Sequence, residues 1–191
     1  MKNRVCCTRS GGFTLVELLI IITLIGLVTS FAVPSMKHLL SKSRRHSAVS
    51  DMITLINLTR NTAIMEQRTV TMCPLNQANH CTPDWNTLPI TVFRDPDADR
   101  KLAHENDIVR VKSLSKGGTW KANSANRPYF RFFSSGMASY AIGNMVWCPD
   151  NSDSHMAAQI IINMGGRPRL SEDQDGDGML EDANGNTVAC N

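Results

Sequence analysis

Hydrophobic and polar positions divide the chain into three stretches with different periods. From Phe13 to Val33 nearly every residue is apolar, a run of 21 positions broken chiefly by Glu17. At about 1.5 Å per residue a helix of that length crosses a hydrocarbon layer roughly 30 Å thick. From Met36 onward apolar residues recur at spacings of three, four and seven. Met36, Leu39, Leu40, Met52, Ile53, Ile56, Ala63 and Ile64 carry this pattern, with Lys37, Lys42, Arg44, Arg45 and Asp51 between them. The pattern predicts a helix to about Glu66, continuous with the apolar run or bent at Pro34. From Arg68 the period becomes two. "RTVTMC", "PITVFRD", "DIVRVKSL", "YFRFF" and "AAQIIINM" read as strands, separated by turn-rich pieces such as "NQANHCTPDWN", "DPDADRKLAHEND" and "SKGG". The expected architecture is α+β: a long N-terminal helix whose second half packs on an antiparallel sheet domain.

Glu17 is the anomaly in the first stretch. A carboxylate at the centre of a span costs about 2.5–3.5 kcal/mol even on insertion scales, so one tolerated there has a partner or a role. Three cations, Lys2, Arg4 and Arg9, precede the run. A basic flank before an apolar segment is a targeting pattern that keeps the N-terminus on the cytoplasmic side.

"GGFTLVELLI" closely resembles the prepilin motif of type IV pilins and type II secretion pseudopilins. The resemblance implies a leader of residues 1–12, cut by a prepilin peptidase between Gly12 and Phe13, with methylation of the new N-terminus at Phe13. It implies a membrane and assembly helix over 13–34, its amphipathic continuation over 35–67 and a β-rich head over 68–191. Pro34 falls where pilins commonly kink. Glu17 would pair with the α-amino group of Phe13, on its own or a neighbouring subunit, which recovers much of the cost of burying one charge. Other pilin subunits, the peptidase and the inner membrane are the implied partners, and a pilus or the cell surface is the final location.

Composition refines this reading. Of 191 residues 42% are hydrophobic and 19% charged, a globular balance. Setting aside the three leader cations leaves 17 basic residues against 17 acidic ones, so the body generates no strong basic field. Any attraction to nucleic acid must be local. The segment 172–191 holds six acidic residues and no Lys or Arg. Of six cysteines, Cys6 and Cys7 belong to the leader. The remaining four, Cys73, Cys81, Cys148 and Cys190, read as two disulfides in an exported domain. Three connectivities are open, and we favour Cys73–Cys81 with Cys148–Cys190, loops worth about 2.5 and 4 kcal/mol on the chain-entropy model. A zinc site at Cys73, His80, Cys81 and Cys148 lacks the paired short spacing such sites use.

"MCPLNQANHC" with Trp85, "ITVFRDPDAD" and "IIINMGGRPRL" resemble the FimT/GspH group of minor pilins and pseudopilins. That resemblance implies DNA binding during natural transformation through a Gly-Arg-x-Arg motif, here Gly166, Arg167, Pro168 and Arg169. In extended backbone Arg167 and Arg169 point the same way. Pro168 fixes φ between them, and guanidinium forks suit phosphate oxygens. Gly165 and Gly166 permit a turn and close approach of a ligand backbone. Two phosphate contacts give a salt slope of about −1.8 and a Kd of about 10⁻⁴ to 10⁻⁶ M without base reading. The alternative is a structural subunit that primes pilus assembly (FimU-like) or joins a type II secretion pseudopilus (GspH-like).

Two further stretches qualify the site. Lys112, Lys116, Lys121, Arg127 and Arg131, with the aromatics of "RPYFRFF", would form a stacking groove for single strands. The default for that stretch is an alternating strand with Phe130 and Phe132 buried. "DQDGDGMLEDAN" places Asp173, Asp175, Asp177 and Gly178 at the first, third, fifth and sixth positions of an EF-hand loop, with Asn184 where a bidentate Glu is expected. It reads as a flexible acidic turn or a weak calcium loop. There is no phosphate loop, metalloprotease motif or nucleophile elbow, so we expect no cofactor and no catalysis, the chain being the peptidase's substrate.

Overall fold

The computed structural model describes residues 14–114, 117–138 and 142–190, the side chains of residues 33–35, 37 and 38 aside. Helix α1 covers Leu15–Glu66, ending where the helical period gives way to period two. The chain divides within this helix into two compact units, residues up to Leu40 and residues from Ser41 onward.

In the first unit, Leu15–Ala32 is long and apolar enough to cross a membrane, and none of it is buried in the chain. Its hydroxyls are satisfied locally. Thr23 Oγ1 donates to Ile20 O at 2.8 Å, Thr29 Oγ1 to Ile25 O at 2.8 Å and Ser30 Oγ to Leu27 O at 2.7 Å. This is the arrangement a lipid-exposed helix requires, because hydrocarbon offers no partner for a free hydroxyl. Met36, Leu39 and Leu40, read as part of an apolar face, are exposed.

Among its described residues the second unit has eight strands. They are β1 (Val70–Pro74), β2 (Ile90–Arg94), β3 (Ile108–Lys112), β4 (Gly118–Asn123), β5 (Phe130–Phe132), β6 (Gly143–Pro149), β7 (Ala158–Ile162) and β8 (Pro168–Leu170). They form two four-stranded sheets, ordered β3-β2-β1-β5 and β4-β6-β7-β8, with every described pairing antiparallel. The sequence pattern showed five of these strands and no division into two sheets. β4 and β6 escaped it because glycine, asparagine and proline flank them; their only large inward anchors are Trp120, Met145 and Trp147. Trp120 lies directly opposite Trp147, and both are buried.

One core joins the helix to both sheets. From α1 it takes Ala48, Val49, Met52, Leu55, Ile56 and Ala63, which share one face of the helix at spacings of three, four and seven, against Val70, Met72, Ile90, Val92, Phe130 and Phe132 of the first sheet and Met145, Trp147, Ile160 and Ile162 of the second. Each large apolar side chain buried there contributes about 1.5–3 kcal/mol, which holds α1 to the sheets without favourable propensity at every position. Trp85 closes one side of this core, edge-on to Phe130 with ring centroids 5.8 Å apart.

The opposite face of the first sheet is also covered. Cys73, Phe93, Leu102 and Tyr129 form a second cluster, so β1 is buried at all five positions. Cys73 is bonded to Cys81 and Cys148 to Cys190. The second bridge, spanning 42 positions, lies in a third cluster with Ala157 and Val188. It ties the C-terminal segment to the second sheet.

Candidate nucleic-acid interface

The Gly-Arg-Pro-Arg stretch forms the end of the β7–β8 hairpin. Ile161 pairs with Arg169 and Ile162 with Pro168. Between the strands, Asn163 O accepts from Gly166 N at 2.9 Å, and Asn163 Oδ1 accepts from Arg167 N at 3.3 Å. Gly166 has φ of +72°, the left-handed region where a side chain is strained. A Cβ there would lie 2.2 Å from Gly136 O. The space beside this glycine is therefore filled by the protein's own backbone, and the close approach of a ligand suggested by the sequence is not open at its Cα.

The hairpin end is anchored to the body. Arg60 Nε donates to Gly136 O at 3.1 Å and to Gly165 O at 3.4 Å, and Ala138 N donates to Met164 O at 3.0 Å. Arg60 was invisible to sequence reasoning as a site residue, because a lone arginine on a helix carries no positional signal. Asn163, directly before "MGG", was visible as a turn former. Anchoring reduces the entropy lost when groups on the hairpin bind a ligand.

Arg167 directly precedes β8 and Arg169 is its central residue; both are exposed. Neither guanidinium has a hydrogen bond or ion pair among the described residues, which leaves both able to fork onto phosphate. Arg169 also borders a cavity of about 310 Å³ whose other walls include Ile161, Glu172, Glu181 and Asp182. Arg169 thus stands at the border between the hairpin and the acidic C-terminal segment.

Of the other cations that the sequence suggested for a groove, two are engaged elsewhere among the described residues, Arg131 with Asp95 and Lys112 with Asp51. Arg131 is buried: its Nη2 donates to Asp95 Oδ2 at 2.8 Å and its Nε to Thr71 Oγ1 at 3.2 Å. Thr71 Oγ1 donates to the same Asp95 oxygen at 2.7 Å, and the Arg131 guanidinium lies 4.7 Å from the Tyr129 ring centroid. Phe130 and Phe132 are in the core, so "RPYFRFF" is a structural strand and offers no stacking platform. Lys112 Nζ lies 2.9 Å from Asp51 Oδ2. Lys121 is exposed on β4, in the other sheet from Lys112. Arg127 is half-buried at the turn where its N–H donates to Ser124 O at 2.9 Å. Lys116 lies outside the described residues.

The acidic stretch gathers in space. Carboxylate oxygens of Asp173, Asp175, Asp177 and Glu181 lie within 4.8 Å of one another. Asn184 instead belongs to a separate turn, where its N–H donates to Asp182 Oδ1 at 2.8 Å. The hydrogen bonds from Asn186 and Asn184 hold the Asp182 carboxyl below its ordinary range. Glu181, which sequence reasoning missed, falls inside the twelve-residue template rather than at its end.

At the other end of the chain, Gly12 and Phe13 lie outside the described residues. Glu17 is in the first turn of α1, and its N–H donates to Thr14 Oγ1 at 3.2 Å. Thr14 to Glu17 therefore has the spacing of a capping box, and a carboxylate in a first helical turn is favoured by the helix dipole. This gives Glu17 a local stabilisation in addition to any partner.

Residues 48–166 match the family model described as type II transport protein GspH. Residues 7–33 match the prokaryotic N-terminal methylation motif, a span that contains Gly12, Phe13 and Glu17. The family match ends at Gly166 and excludes both arginines. Among solved structures, the type IV minor pilin FimU of Pseudomonas aeruginosa (strain PAO1) superposes with a TM-score of 0.51 at 16% identity, over 66% of this chain and 87% of that one. A second crystal form of FimU gives a TM-score of 0.46 at the same identity, over 66% and 92%. At such identity the likeness is one of fold. Comparison with curated proteins returned no match.

Proposed function

This chain belongs to the GspH family of pilin-like transport proteins, and we propose that it retains DNA through Arg167 and Arg169. It is a minor pilin or pseudopilin with an apolar helix for membrane anchorage and a separate head. The observation that carries the DNA reading is the exposed, unpaired arginine couple on a hairpin end fixed by Arg60, Asn163 and Gly166. Two guanidinium groups held by backbone take hold of phosphates without reading bases. In this reading the peptidase cuts after Gly12, Phe13 becomes the N-terminus, the chain waits in the inner membrane, and the filament presents the head for uptake during transformation.

The test is a gel shift of duplex DNA with the full chain in detergent micelles at several salt concentrations. A shift that falls with salt with a slope of about −1.8, and disappears in Arg167→Gln/Arg169→Gln, supports the reading. Retention unchanged in the double variant removes the site.

A second reading is favoured by the uncovered apolar positions that continue past the span at Met36, Leu39 and Leu40. These suit packing against other subunits, as a minor subunit that primes a type IV pilus or joins a secretion pseudopilus. Gene deletion separates the two: loss of pili or secretion supports assembly, and loss of transformation with filaments intact supports DNA capture.

A further inference from the structure

The acidic C-terminal loop has one feature that a solvated turn does not need. Asp173, Asp175 and Asp177 are exposed, but Glu181 is only 6% exposed. Its Oε2 accepts from Gln174 N at 2.6 Å. Its Oε1 is buried with no hydrogen-bond partner among the described residues. A buried carboxylate oxygen without a donor loses its hydration and receives nothing in return. The same carboxyl group reaches to within 4.8 Å of the three aspartates, so four acidic groups crowd one small volume.

Glu181 is held there by backbone. It bridges to Thr187, and its N–H donates to Glu172 O at 3.2 Å. The adjoining Val188 N donates to Leu180 O at 2.7 Å, next to the disulfide at Cys190. Rotation into solvent would break the bond to Gln174 N. A hard cation ligated by oxygen would resolve this arrangement.

We propose that Asp173, Asp175, Asp177 and Glu181 form a calcium site, with Glu181 as the buried anchoring ligand. Four carboxylates leave two to four coordination positions for backbone carbonyls and water, within the six to eight that calcium accepts. Magnesium requires a near-ideal octahedron of short bonds and sheds its water reluctantly. Zinc prefers nitrogen and sulfur donors, and the cluster has neither. Asn184 is no ligand in this assignment: it belongs to the separate turn at Asp182, and Glu181 supplies the inward carboxylate from within the loop. The ion would close the segment between β8 and the Cys148–Cys190 bridge, adding a non-covalent fastening to the covalent one. The site is independent of the DNA reading.

The experiment is calorimetric titration of calcium chloride into the chelator-treated full chain in detergent, with magnesium chloride as control and thermal unfolding followed in parallel. One saturable site per chain is expected, with Kd of about 10⁻⁴ to 10⁻³ M as in extracellular modules, and a calcium-dependent rise in Tm. Asp175→Asn, an exposed change that preserves shape, should weaken binding about tenfold or more, and Glu181→Gln should abolish both heat and Tm response. Glu181→Gln without calcium should unfold no earlier than the parent, since it removes a buried charge. Absence of saturable heat well above that concentration range overturns the proposal. So does binding that survives both substitutions, or magnesium binding of equal strength.

Discussion

Gly166→Ala tests the hairpin's construction directly. The new Cβ would lie 2.2 Å from Gly136 O and 3.1 Å from Phe132 ring carbons. The carbonyl cannot yield freely, because Arg60 Nε bonds it at 3.1 Å. Gly136 also has a positive φ, and a Cβ on it would lie 2.6 Å from Ile64, so that loop is fixed on both sides. Alanine at a left-handed position costs about 1–2 kcal/mol by itself. Separating the two loops sacrifices the Arg60 bonds and the Ala138–Met164 bond, at about 1 kcal/mol each. The expected loss is about 4–5 kcal/mol, or a fall in Tm of about 8–20 °C at 2–4 °C per kcal/mol for a unit of this size. Thermal unfolding by circular dichroism in detergent measures it. Gly165→Ala is the internal control. A Cβ there meets only Asn163 Oδ1, at 3.4 Å, so the change should stay within the roughly 0.5 kcal/mol typical of surface substitutions, a Tm shift of about 1–2 °C. Equal Tm values for the two alanine variants would refute the close packing of Gly166 against Gly136, and with it the view that the hairpin is preset for its arginines.

Four more outcomes follow from the geometry. Asp95→Ala, which strands the buried Arg131 guanidinium, should lower stability by about 3–5 kcal/mol in urea unfolding. Lys112→Gln, which breaks the half-exposed pair with Asp51, should cost under about 1 kcal/mol, and a reversed order would contradict the assignment of Arg131 to the core. Cys148→Ser/Cys190→Ser should cost about 4 kcal/mol on the loop-entropy model and open residues 171–190 to proteolysis ahead of the body. Hydrogen bonds from Arg94, at 2.5 and 2.7 Å, hold the Glu66 carboxyl below its ordinary value. A depressed carboxylate stabilises fully above its unfolded pKa, and that contribution disappears as pH falls through the lower folded value. The Glu66→Gln variant should therefore differ from the parent at neutral pH by under about 1 kcal/mol, given the pair's exposure, and the difference should vanish under strongly acidic conditions in a pH series of melts.

Patterns that depend on neighbours along the chain are legible in the amino-acid sequence itself. The apolar run and the helical period to Glu66 follow from side chains meeting every third or fourth residue. Five strands were legible because apolar residues alternated over enough positions to exceed the noise of a mixed composition. The GGFTLVELLI stretch and the arginines of the hairpin end stood out because their spacing is local.

Contacts between distant segments were decided by the tertiary structure alone. Strict alternation implies that Arg131 points away from Phe130 and Phe132, as it does. It does not show that the cluster of Cys73, Phe93 and Leu102 covers that face, converting an apparent surface cation into a buried partner of Asp95. The same holds for Gly166, whose need for a bare Cα is imposed by Gly136, 30 positions away in sequence, and for Glu181, which the template placed nowhere but the fold turned inward. A one-dimensional pattern records which face a side chain takes relative to its own element. What lies against that face depends on how segments far apart in sequence come together, and this determines whether a charge binds a ligand, pairs in the core or waits for an ion.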